Sequence, residues 1–101
     1  MKRIINGKKY DTDTAKELGY WSNGYPCGDF NWLFETLYLK KTGEYFLVGE
    51  GGALTKYSNV TYNGSTDGVK FMPMSEDDAK EWAERRLTCD EYEKIFGEVE
   101  E

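Results

Sequence analysis

From Phe30 to Lys40 the chain alternates, with Trp32, Phe34, Thr36 and Tyr38 on one side and Leu33, Glu35, Leu37 and Leu39 on the other. A period of two belongs to a strand and not to a helix. Lys41-Thr42-Gly43 then supplies turn residues, and Glu44 to Val48 returns as a second extended run, so the two read as a hairpin. Both faces of this hairpin are apolar. A sheet with one wet face would carry polar residues on it, so the hairpin is expected at the centre of a sheet.

The rest of the chain has to be arranged around that centre. Arg3 to Tyr10 reads as a short hairpin, because Asn6-Gly7 accepts positive φ at both central positions of a type I′ turn. Asp11 and Thr12 offer side-chain oxygens to cap a short helix over Ala15, Lys16, Glu17 and Leu18, with Gly19 as its stop. Gly19 to Asp29 holds three glycines and Pro26, which predicts a surface loop displaying Tyr20, Trp21 and Tyr25. Gly49-Glu50-Gly51-Gly52 reads as a tight strand exit needing positive φ, and polar Ser58 to Gly68 as an extended loop. Val69 to Met74 reads as a strand that Pro73 sends to an edge.

Ser75 is the expected N-cap of the clearest helix, with Asp78 at N3 and an apolar stripe of Ala79, Trp82, Ala83 and Leu87. Thr88-Cys89-Asp90-Glu91 repeats the cap signal before Tyr92, Ile95, Phe96 and the stop at Gly97. Strands and helices do not alternate regularly. The expected class is α+β, a mainly antiparallel sheet of about five strands with two or three short helices packed on one face. It forms a single domain over residues 1–97, and residues 98–101 are a frayed acidic tail.

Charge is distributed unevenly. Ser75 to Glu101 holds eleven carboxylates against four bases, a net of −7, whereas residues 1–74 are nearly balanced at +1. Charge gathered at one end makes a directional field that repels nucleic acid and attracts basic protein surfaces. Asp77, Glu81 and Glu84 fall at i, i+4 and i+7 on one helical face, with neighbours about 6 Å apart. That is comparable with the separation of successive phosphates on a strand, so the face suits a basic groove as a decoy. Glu76, Asp78, Asp90 and Glu91 extend the same acidic surface, against which Lys80, Arg85 and Arg86 offer partial neutralisation. The competing interaction surface is the aromatic set Tyr20, Trp21 and Tyr25, since Tyr and Trp are enriched at binding hot spots.

Catalytic chemistry finds little support. The chain has no His, so a Ser or Cys nucleophile lacks its usual base and a zinc site lacks its usual ligands. The glycine run matches neither GxGxxG nor GxxxxGK[ST]. Neither an enzyme, a cofactor nor a metal is expected. Cys27 and Cys89 are isolated and read as reduced thiols. With no signal-peptide pattern and no long apolar run, a cytoplasmic protein is expected, in which the sequons at Asn59 and Asn63 are incidental. The basic hairpin residues Lys2, Arg3, Lys8 and Lys9 are outweighed by a pI near 4.7, which opposes direct nucleic-acid binding.

The segments Ile4 to Thr12 and Glu44 to Tyr57 resemble a family of small proteins carried by bacterial prophages and mobile elements. Small acidic proteins of such elements are similar in size and charge to anti-CRISPR proteins and other counter-defence inhibitors. The family resemblance carries no chemistry of its own; by analogy of size, charge and context, the expectation is inhibition of a bacterial nucleic-acid-handling defence enzyme, with a CRISPR effector as the leading partner. A non-enzymatic module of the element, an antitoxin or regulator using loop 19–29, is the alternative.

Overall fold

The computed structural model describes the whole chain, Met1–Glu101. The expected central hairpin forms as β4 (Leu33–Leu39) and β5 (Tyr45–Gly51), paired antiparallel from Leu33↔Gly51 to Leu39↔Tyr45. They occupy the middle of a four-stranded sheet. Its edges are β3 (Lys16–Ser22), beside β4, and β8 (Gly68–Met74), beside β5. Pro73 therefore sits on an edge strand, where a missing N–H removes no inner ladder bond.

Each face of this sheet has its own cover. On one side Leu37 and Leu47 pack against Ala79, Trp82 and Ala83 of α1 (Glu76–Arg86), with Tyr92 and Phe96 of α2 (Cys89–Phe96) at the margin. On the other side Phe46, Val48 and Phe71 pack against Tyr10 of a separate hairpin, β1 (Lys2–Ile5) and β2 (Lys8–Asp11). Asn6 and Gly7 both take positive φ there, 51° and 78°, which is what the type I′ turn requires. Lys8 Nζ reaches Glu44 Oε2 at 3.0 Å and fastens this hairpin to the β4–β5 turn. A third hairpin, β6 (Asn59–Thr61) and β7 (Gly64–Thr66), projects between β5 and β8.

The class is α+β and mostly antiparallel, as expected, but the strands number eight in three sheets and the helices two. The helix expected over Ala15–Leu18 is strand β3. Four residues make one turn, too few to offset the cost of helix nucleation, whereas extended pairing with β4 satisfies the backbone along seven. Asp11 does use its side-chain oxygen, but in a turn that accepts the Asp13 N–H at 2.9 Å rather than as a helix cap. The polar stretch from Ser58 to Gly68 is not one extended loop, since the β6–β7 hairpin fills most of it.

β3 also shortens the expected Gly19–Asp29 loop. The connection now begins at Asn23, whose amide holds it shut: Nδ2 donates to the Asn31 carbonyl at 2.8 Å, and Oδ1 accepts the Leu33 N–H at 3.2 Å. The glycine run differs as well. Gly49 and Gly51 are strand residues without positive φ. Gly49 is needed because the Tyr57 ring lies flat against it, and a Cβ there would overlap the ring.

Gly49→Ala is expected to cost about 1–3 kcal/mol through overpacking. Urea unfolding would register it as a lower midpoint with an unchanged slope.

Candidate functional site

The helices begin as the sequence requires. Ser75 Oγ accepts the Asp78 N–H at 3.1 Å, and Thr88 with Glu91 forms a full capping box. Three acids in the first turn of α1 and two in the first turn of α2 also match the helix dipole. Ala79, Trp82 and Ala83 face the sheet, which turns Asp77, Asp78, Glu81 and Glu84 to solvent.

Of the three cations on α1, Lys80 is held on the face itself, Arg85 stays exposed with no acidic partner of this chain, and only Arg86 leaves the face. Lys80 pairs with Glu76 at 3.6 Å. Arg86 points inward, its guanidinium 3.8 Å from the centre of the Trp21 ring and its Nε 3.6 Å from Glu35 Oε1. That separation makes an ion pair but is too long for a hydrogen bond. Asp77, Asp78, Glu81, Glu84 and Asp90 pair with no cation of this chain. Glu91 is occupied differently. Its Oε1 accepts from the Thr88 N–H and Oγ1, each at 3.0 Å, and these bonds hold its carboxyl below the usual carboxylate range. Glu91 therefore shapes the surface from inside the cap.

The aromatic candidates separate. Register places Trp21 opposite Glu35 on the helix side and Tyr20 opposite Thr36 on the far side. Trp21 is half-buried against the α1 core. Tyr20 is 65% exposed and Tyr25 52% exposed. These two line a shallow groove of about 460 Å³ with Trp32, Phe34 and Thr36 on the far face of the sheet. The three aromatics therefore form no common patch, because neighbours on a strand face opposite ways.

One cluster was not singled out in the sequence. Glu35 is 2% exposed, held between the sheet and α1. Its Oε2 accepts from the Tyr57 hydroxyl, and its Oε1 accepts from Trp82 Nε1 at 3.0 Å. Lys56 Nζ stands 3.3 Å from Oε2. Burial pushes the carboxyl up, but the Tyr57 and Trp82 bonds and the Lys56 charge outweigh it, so Glu35 ionises below the usual range. Burial and the same carboxylate push the Tyr57 phenol well above its ordinary value. The only signal in sequence was a lone acid on an otherwise apolar strand face, flanked by Leu33 and Leu37. Glu35 lines none of the three principal surface depressions. No group of three or more His, Cys, Asp or Glu is placed to hold a metal ion. Cys27 and Cys89 are both exposed and unpaired, and no helix is long and apolar enough to cross a membrane.

No family model matches the chain, and neither does any curated protein or solved structure.

The Glu35 cluster sets a pH dependence. Its carboxylate stabilises the fold above the ordinary carboxyl pKa, and that contribution is lost as pH falls through the lowered folded value. The neutral Tyr57 phenol stabilises below the ordinary phenol pKa and loses that effect as pH rises beyond about 10. Glu35→Ala should cost about 1–3 kcal/mol at neutral pH for each of the two buried donors it leaves without an acceptor, the Tyr57 hydroxyl and the Trp82 indole N–H. Denaturant unfolding of Glu35→Gln between neutral pH and about pH 3 should show a shallower acid loss than the parent.

Proposed function

We propose that this chain is a small acidic inhibitor of a bacterial nucleic-acid-handling defence enzyme, and that it docks its α1–α2 face on a basic channel of the target. The observation that carries the reading is the unneutralised set Asp77, Asp78, Glu81, Glu84 and Asp90, displayed while Arg86 of the same helix is turned into the core. A rigid helix with spaced carboxylates offers a Lys/Arg-rich channel the charges it would otherwise take from phosphates. The sheet behind it is a fixed platform, so little conformational entropy is lost on docking. The action is stoichiometric and needs no catalytic group. The likeness to mobile-element proteins rests on the two segments that carry it, and a CRISPR effector in the bacterial cytoplasm is the leading target class.

A second reading is kept because of the groove at Tyr20, Tyr25 and Trp32. An antitoxin or regulator would use this face, with exposed tyrosines as anchors. The two readings place the contact on opposite faces of one sheet, so they separate cleanly by mutation.

The test measures association with guide-loaded CRISPR nucleases, and the resulting loss of target cleavage, across a salt series. Changing Asp77, Glu81 and Glu84 together to Lys should slow association roughly tenfold or more and flatten its salt dependence. The fold should persist, since exposed charges contribute little to stability. A triple variant that binds as fast as the parent at low salt sinks the acidic-face reading. Selective loss in Tyr20→Ala or Tyr25→Ala would move the contact to the aromatic face.

A further inference from the structure

The β6–β7 hairpin stands apart from both cores. Every residue of its two strands is exposed, Val60 is 88% exposed and Tyr62 is fully so. Residues 59–66 carry no charge, in a chain where 32% of residues are charged. Side-chain ties to the body are few: Ser65 Oγ donates to the Ala53 carbonyl at 2.6 Å, and Asn59 Nδ2 to the Asp67 carbonyl at 3.3 Å. A two-stranded ribbon with no buried face is marginal in water.

Its edges differ from the other strand edges of the molecule. The β8 edge carries Lys70 and Pro73. The β3 edge carries Lys16, Glu17 and a register shift between Glu17 and Gly19. The β1–β2 hairpin carries Lys2, Arg3, Lys8 and Lys9. Charges, proline and bulges are the devices that keep an open edge from pairing with another chain. Asn59-Val60-Thr61, followed by Tyr62, has none of them and is rich in strand-forming residues.

We propose that β6 is a self-association edge, where two copies of this chain pair their β6 strands antiparallel about a two-fold axis. The two Val60 side chains then face each other, each Asn59 lies opposite the other copy's Thr61, and the Tyr62 rings flank the pair. An isologous contact of this kind uses up the β6 edge after two copies and leaves only the three-residue β7 strands at its margins. The occupant follows from charge. An uncharged strand offers nothing to the basic surface that suits the acidic helices, whereas it is complementary to itself. Repulsion between copies is also limited. β8 runs seven residues away from the hairpin before the acidic first turn of α1, roughly 20 Å of strand and beyond a Debye length at physiological salt. The contact is independent of the acidic face and stands or falls without it.

One short strand and two side chains per copy is a small interface, so dimers should form on the order of 0.1–1 mM. Sedimentation equilibrium of the full chain, from on the order of 10 µM to 1 mM, should show the mass rising toward twice the monomer at low and high salt alike. Hydrogen exchange at the 59–62 amides should slow over the same range. Val60→Lys should weaken the dimer about tenfold or more, and Asp77→Lys should leave it unchanged. Val60 lies outside both cores, so circular dichroism should match the parent. If the variant nevertheless misfolds, the 59–62 exchange of the parent decides alone. A monomeric mass throughout, a dimer that survives Val60→Lys, or one that dissolves in high salt overturns the proposal.

Discussion

Glu35 is a carboxylate stripped of water between a sheet and a helix, and removing an ion of that size from water costs several kcal/mol. The fold offsets this with hydrogen-bond donors and cations from two other segments. Tyr57 and Lys56 come from the β5–β6 connection, and Trp82 and Arg86 come from α1. None of these groups is near β4 in sequence, so the ion is tolerable only when all three segments are in place. Such a contact penalises alternative arrangements. A slipped helix or a register-shifted strand would leave the charge unpaired in a low-dielectric interior. Gly49 belongs to the same device. It lies directly opposite Glu35 on β5, and its bare backbone lets the Tyr57 ring reach across to the carboxylate.

The character of the outer surface follows from this interior. Arg86 is drawn toward Glu35 and onto Trp21, so the last turn of α1 contributes one cation fewer to its solvent face. Trp82 is fixed by its indole hydrogen bond, which sets the rotation of the helix about its axis. With that rotation set, Asp77, Asp78, Glu81 and Glu84 have nowhere to go but outward. The acidic face is thus positioned by a buried acid of the same chain. The far face of the sheet is less completely covered, because the β1–β2 hairpin packs over Phe46, Val48 and Phe71 and leaves Tyr20 and Tyr25 open.

Much of the framework was legible wherever short-range rules dominate. The β4–β5 hairpin, the Asn6-Gly7 turn, the Ser75 and Thr88 caps and the stripe through Trp82 all follow from spacings under about eight residues. The errors share one cause. Ala15 to Leu18 has helical preferences, but β4 supplied a long-range pairing partner that a local reading does not see. Gly49 and Gly51 suggested a turn, yet their lack of a side chain answers to Tyr57 and Thr55, which meet them only in three dimensions. Tyr20 and Trp21 were grouped by composition and parted by the pleat of a strand that composition did not reveal.

By itself the sequence determined the α+β class, the central hairpin, the capped helices and the concentration of negative charge after Ser75. Each of these is encoded in periodicity, turn residues or formal charge, and those are properties of neighbours along the chain. Tertiary structure alone decided which acids are free. Glu35 went inward, and Asp77, Asp78, Glu81, Glu84 and Asp90 stayed unpaired in solvent. The physical reason is that a carboxylate's role depends on its hydration and on the donors within about 4 Å of it. For Glu35 those donors lie as far as 47 residues away along the chain.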